Sequence, residues 1–164
     1  MVRQICGVLV ALSTVLLLFG CSPLIAEYSL DAYRNATTLK AEVAALVEKS
    51  GETYASHKGE AEELTTKIDA AYEFAAGIPN NTLSARQWQI LRDPEGGLYG
   101  GFIRQWREKG KTSPFFRKEM KQQLNAAFDR IICLEVSKQR ARSCASASTS
   151  AGFAVLKPAA GTLR

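Results

Sequence analysis

From Val43 to Ala75, apolar or small residues return at alternating steps of four and three: Val43, Val47, Ser50, Tyr54, His57, Ala61, Leu64, Ile68, Ala71 and Ala75. Side chains three and four apart share one face of an α-helix, whereas a strand changes face at every residue. Leu39, Leu46, Tyr72 and Phe74 widen the stripe, and no proline occurs between Leu30 and Ala76. Gly51 and Gly59 interrupt the run, each at a cost of about 1 kcal/mol relative to alanine inside a helix. The stripe stays in phase across both glycines. One long helix from Leu30 to Ala76 is therefore expected, about 70 Å in length; the alternative is a break between residues 51 and 59. The stop is plain: Gly77, then Ile78-Pro79-Asn80-Asn81, sets a glycine just past the helix and a proline soon after.

Ser84-Ala85-Arg86-Gln87 matches a capping box, so a short helix is expected from Ser84 to about Arg92, presenting Trp88 and Leu91. Asp93-Pro94-Glu95-Gly96-Gly97 is a turn by composition. Leu98, Phe102 and Trp106 space out as a second short helix ending before Gly110. Ser113-Pro114 is a cap followed by proline at the first helical position. The last stripe runs Phe116, Met120, Leu124, Ala127, Phe128, Ile131, Leu134, to about Lys138. Beyond it the chain loses its period and gains Ser, Ala and Gly, the composition of a disordered tail. No five-residue window alternates β-branched with polar residues, so no strand competes. The expected fold is all-α: an antiparallel helical bundle or hairpin with one long N-terminal helix, two short connecting helices and a C-terminal helix.

Charge is divided along the chain. Residues 27–76 hold 10 acidic and 5 basic side chains, and residues 102–142 hold 4 and 11. Helices of opposite sign suit one another at their solvated edges, although each exposed pair contributes only about 0.2–1 kcal/mol. With 46% hydrophobic and 23% charged residues, the chain has the composition of a globular protein.

The N-terminus carries an address. Arg3 precedes an apolar run from Ile5 to Phe19, short for a bilayer-spanning helix of roughly 20 residues, which gives a secretory signal its shape. The run closes on Leu18-Phe19-Gly20-Cys21. This ending resembles the lipobox of bacterial lipoproteins, a leucine and two small residues before a cysteine; Phe19 departs from it, standing where that family has a small residue. The resemblance implies that Cys21 receives a diacylglycerol thioether, that residues 1–20 are removed, and that Cys21 becomes the acylated N-terminus. Ser22, rather than aspartate, implies sorting to the outer membrane, with the body on its periplasmic face. The alternative is an uncleaved anchor reaching Ala26. The expected layout is a signal peptide over 1–20, a tether over 21–29, a helical domain over 30–138 and a tail over 139–164. Secretion argues against a nucleic-acid partner despite the net charge of +5.

With Cys6 in the signal and Cys21 acylated, Cys133 and Cys144 remain. In an oxidising compartment they can pair. A straight helix would hold them about 16 Å apart, beyond the about 7 Å a disulfide spans, so pairing requires the chain to turn back after Lys138. Otherwise Cys133 is a small core residue and Cys144 is free.

The sequence offers little that points to chemistry. The one histidine, His57, falls on the apolar seam, where a partly buried polar residue is the ordinary reading. No Cys/His cluster has metal-ligand spacing, no serine sits in a G-x-S-x-G elbow, and "PEGGLYGG" has neither a preceding strand nor the Lys-Ser/Thr of a phosphate loop. No catalytic residue, metal or cofactor is expected, and the protein is expected not to be an enzyme. The middle stands apart. Trp88, Tyr99, Phe102 and Trp106 lie among Arg86, Arg92, Arg104 and Arg107, and Trp, Tyr and Arg dominate binding hot spots. Trp88, Tyr99, Phe102, Arg104, Trp106 and Arg107 are therefore candidate partner-binding residues. The competing reading is that the aromatics close the core between the helices.

"AYEFAAGIPNN", "QWQILRDPEGGLYGGF" and "FDRIICLE" resemble segments of small helical bacterial envelope proteins, and the size, anchor and helicity are similar to those of pilotins, a likeness of fold only. The function expected from all this is an outer-membrane-anchored periplasmic lipoprotein, held by its N-terminal lipid, that serves as an interaction or assembly module for an envelope protein. The alternatives are a charge-driven binder of wall polymer or lipopolysaccharide and a wall-active hydrolase.

Overall fold

The computed structural model describes residues 25–140. Within them every regular element is helical, and the class is all-α. Helix α1 spans Leu30–Lys49. A 3-10 turn over Tyr54–His57 leads into α2, Lys58–Gly77. Helices α3 (Thr82–Arg92) and α4 (Tyr99–Lys109) are short, and α5 runs Pro114–Arg140. The expected signal, Cys21 and the serine-rich residues beyond 140 lie outside the described residues.

The expected single N-terminal helix is not formed; α1 and α2 are separate helices folded onto each other. Lys49 pairs with Glu60, and Glu42 with Lys67 at 3.1 Å, so partners ascend on one helix as they descend on the other. The break has a tertiary cause. Ser50 is fully buried, and its carbonyl accepts from the Thr112 N–H at 2.8 Å and the Thr112 hydroxyl at 3.0 Å. The Tyr54 N–H donates to the Gly110 carbonyl at 2.8 Å, and the Trp106 indole N–H donates to the Glu52 carbonyl at 3.1 Å. These bonds from α4 and the α4–α5 connection take up backbone groups that a continuous helix would have paired internally. The stripe nevertheless keeps its face: Val43, Val47, Ala61, Leu64, Ile68, Ala71 and Ala75 are all buried. Two helices facing the same core happen to continue one phase across the break. Phe74, expected on the stripe, is exposed.

Helix α1 lies along α5. Lys40 pairs with Asp129 and Glu48 with Lys121, again in opposite order along the two helices. Helix α3 returns beside α5 with Ser84 against Glu135 and the Trp88 ring edge-on to Phe128 at 5.9 Å. The starts of α1 and α3 and the ends of α2 and α5 therefore share one end of the domain. The Ala26 N–H stitches the incoming chain to that end through the Asn80 carbonyl at 3.2 Å, and Ala26 is itself buried.

Caps explain several boundaries. Ser29 Oγ accepts from the Ala32 N–H at 3.2 Å, and Ser113 Oγ from the Phe116 N–H at 3.2 Å, the latter as its Ser-Pro signal predicts. Gly110 ends α4 with φ +75, a conformation that disfavours any side chain. The expected cap at Ser84 is a miss. Helix α3 begins two residues earlier, at Thr82, and Ser84 lies inside it, buried, donating to Glu135 Oε1 at 2.9 Å.

Candidate functional site

The four aromatic candidates of the middle segment are core residues. Trp88, Tyr99, Phe102 and Trp106 are each at most 2% exposed. Phe102 stacks between Trp106 at 5.8 Å and Phe116 at 6.5 Å, and Tyr54 meets the Trp106 ring edge-on at 5.3 Å. The Tyr99 hydroxyl donates to the Ala61 carbonyl at 3.2 Å and shares a 3.1 Å hydrogen bond with the Thr65 hydroxyl; burial pushes its phenol pKa well up. Sealed in the core, these rings do not form the expected partner-binding surface. The short helices have too little apolar surface of their own, and large rings are what seals them to α2, α5 and the Tyr54–His57 turn. His57 belongs to the same cluster, its ring 6.0 Å from Trp106 and its nitrogens 3.0 Å from Glu52 and 3.4 Å from Glu60.

The arginines stay outside. An open cleft of about 360 Å³ lies between α2, α3 and α4, with Asp69, Arg92, Asp93, Arg104 and Arg107 on its walls and Tyr99 at its base. Arg92 is held from two sides: Nη1 donates to Asp69 Oδ1 at 2.9 Å, and the guanidinium lies 4.0 Å over the Tyr72 ring. Arg104 pairs with Glu95. Arg107, exposed at the rim, forms no ion pair among the described residues. The turn that shapes this wall is tight. A Cβ on Gly101 would fall 1.8 Å from the Gly96 carbonyl oxygen. A fixed, an engaged and an open guanidinium in one cleft can grip an acidic group by bidentate hydrogen bonds. A second, shallower groove of about 460 Å³ runs where α1 ends beside α5, with Arg117, Lys118 and Lys121 along it. Lys121 there holds the Glu48 carboxyl below its ordinary range, chiefly by a direct hydrogen bond.

A feature no sequence motif announced is a buried polar set at the end where Ala26 is stitched. Glu135, Ser84 and Asn81 are each at most 3% exposed. Glu135 Oε1 accepts from Ser84 Oγ and from Lys138 Nζ at 2.7 Å; Lys138 also donates to Asn81 Oδ1 at 2.5 Å, and Asn81 Nδ2 to the Ala75 carbonyl at 2.8 Å. Glu135 Oε2 is buried without a partner among the described residues. The serine hydroxyl is sealed in the core and already donating to a carboxylate, so the set is placed to hold helices, not to meet a substrate. Its only sequence signal was an acidic residue where the α5 stripe should continue.

Cys133 is half-buried on α5 and is disulfide-bonded. Its expected partner, Cys144, and the expected acylation site, Cys21, lie outside the described residues. Among the described residues no cluster of His, Cys, Asp and Glu is arranged to hold a metal, and no helix is long and apolar enough to cross a membrane. Compared with family models, characterised proteins and solved structures, the chain matches none.

Proposed function

We propose that this chain is a lipid-anchored helical interaction module, held through Cys21 to the periplasmic face of a bacterial outer membrane and presenting its arginine-walled cleft to an envelope protein. The observation that carries the anchor is the signal ending Leu18-Phe19-Gly20-Cys21. What supports the interaction half is the division of the middle segment: its rings fill the core while Arg104 and Arg107 remain on the surface beside Arg92. The proposed role is non-enzymatic and needs no cofactor. Two measurements test it. Cells fed a tagged fatty acid should label the wild type and not Cys21→Ala; equal labelling of both refutes the anchor. A photo-crosslinking residue at Arg107 should capture one envelope protein, and Arg104→Ala/Arg107→Ala should abolish its co-purification while the circular dichroism spectrum is unchanged.

The groove of Arg117, Lys118 and Lys121 favours a second reading, a charge-driven binder of anionic wall polymer or lipopolysaccharide. Reversing Lys118 and Lys121 would then abolish binding, and raising salt would weaken it.

A further inference from the structure

The antiparallel order of the helices gathers the exposed apolar side chains unevenly. Ile25, Leu30, Phe74 and Leu83 are all exposed, Leu83 at 66% and Ile25 at 58%, and all lie within about one helical turn of the same end. Leu30 opens α1, Leu83 is the second residue of α3, and Phe74 is in the last turn of α2. Ile25 is held there because its neighbour Ala26 donates to the Asn80 carbonyl. Away from that end two such residues stand apart, Phe115 at the start of α5 and Ile90 in the last turn of α3. Charges around the apolar end are of both signs, Glu27, Asp31 and Glu73 against Arg34 and Arg86, all exposed.

We propose that this end of the domain rests on the lipid surface, with Ile25, Leu30 and Leu83 entering the headgroup region beside the anchor. The proposal rests on acylation of Cys21. Five residue steps separate Cys21 from Ala26, and a fully extended chain covers at most about 18 Å over that length. Ala26 is fixed to the α2–α3 turn, so an acylated Cys21 keeps this end within about 18 Å of the bilayer surface. The opposite end lies about 30 Å further out, the length of α1. A small apolar patch with balanced charge at a tether point suits shallow insertion, and the contact is expected to be insensitive to salt, unlike one made by the basic groove. The outcome for orientation is that α1, α2 and α5 stand upright and the α4–α5 connection faces the periplasm.

The test uses the full chain in vesicles of phosphatidylethanolamine with phosphatidylglycerol, with and without brominated acyl chains. In Leu83→Trp the added emission should shift to the blue and be quenched by the brominated lipid, in low and high salt alike; in Phe115→Trp neither should happen. Both positions are exposed, so both variants should fold, which circular dichroism checks. Mass spectrometry reads acylation of Cys21 separately. If Cys21 is not acylated, the chain is held on the same vesicles by an N-terminal histidine tag and a nickel-chelating lipid, so that the patch is read even where the anchor fails. Unquenched Leu83→Trp emission on tethered vesicles overturns the proposal. So does a dimer of Cys21→Ala, seen in sedimentation equilibrium and dissociated by Leu83→Asp, since a second copy would then cover the patch.

Discussion

The Trp106 indole N–H donates to the main-chain carbonyl of Glu52 at 3.1 Å, a bond between α4 and the gap that separates α1 from α2. Trp106 is fully buried, and the bond lies beside the Tyr54 N–H to Gly110 carbonyl contact. The residue that reads most like a surface hot spot is the latch of the helix break. Trp106→Phe keeps a ring in the cluster and removes the donor, leaving the Glu52 carbonyl without this partner. It should cost about 1–3 kcal/mol, measured as a lower urea midpoint at unchanged slope. An unchanged midpoint would mean the latch contributes nothing.

Two glycine substitutions should act in opposite directions. Gly101→Ala places a methyl 1.8 Å from the Gly96 oxygen, a backbone atom that has to move; it should destabilise the domain and open the wall of the arginine cleft. Gly59→Ala meets nothing within 4 Å, near the start of α2. It should stabilise by about 0.5–1 kcal/mol, from better helix propensity and a stiffer unfolded chain. Thermal unfolding of the two variants beside the wild type checks both.

The Glu135–Lys138 pair is a buried ion pair, and its members should be strongly coupled. Glu135→Leu leaves the Lys138 ammonium, nearly enclosed, with Asn81 Oδ1 as its remaining acceptor. Breaking a buried pair from one side costs about 3–5 kcal/mol, whereas replacing both members by apolar residues is often close to neutral. The double variant Glu135→Leu/Lys138→Met should therefore recover most of the stability lost in the single one. Additive losses in the double-mutant cycle would refute the coupling.

Alkaline pH should weaken the fold through Tyr99. Burial raises its pKa above the ordinary phenol value of about 10. A raised folded-state pKa means that the contribution is complete below the unfolded pKa and is lost as pH rises from about 10 toward the folded value. Over that window one proton alters stability by up to about 1.4 kcal/mol per pH unit. Tyr99→Phe should start less stable at pH 8, having lost the bonds to Thr65 and Ala61, and should show a shallower decline between pH 10 and 11.5. Parallel curves for the two proteins would show that Tyr99 does not govern the slope.

The amino-acid sequence by itself determined what depends on near neighbours. The apolar period, the stop before Pro79, the Asp93–Gly97 turn, Gly110 and the Ser113-Pro114 start act through propensity, caps and backbone conformation within a few residues, although Gly77, expected just past α2, is its last residue and the left-handed conformation falls on Asn80 at φ +60. The candidate site was legible only in part. Arg104 and Arg107 are readable as surface arginines, but a ring on a short helix looks the same whether it faces a partner or the core. Tertiary structure alone decided where the N-terminal helix breaks, which side the rings take and why Ser84 lies inside α3. Each turns on a partner far along the chain: Thr112 is 62 residues from Ser50, Trp106 54 from Glu52 and Glu135 51 from Ser84. The in-phase stripe across Gly51 and Gly59 could favour one helix, but the hydrogen bonds that α4 and the α4–α5 connection make to Ser50, Glu52 and Tyr54 exist only once the domain has closed around them.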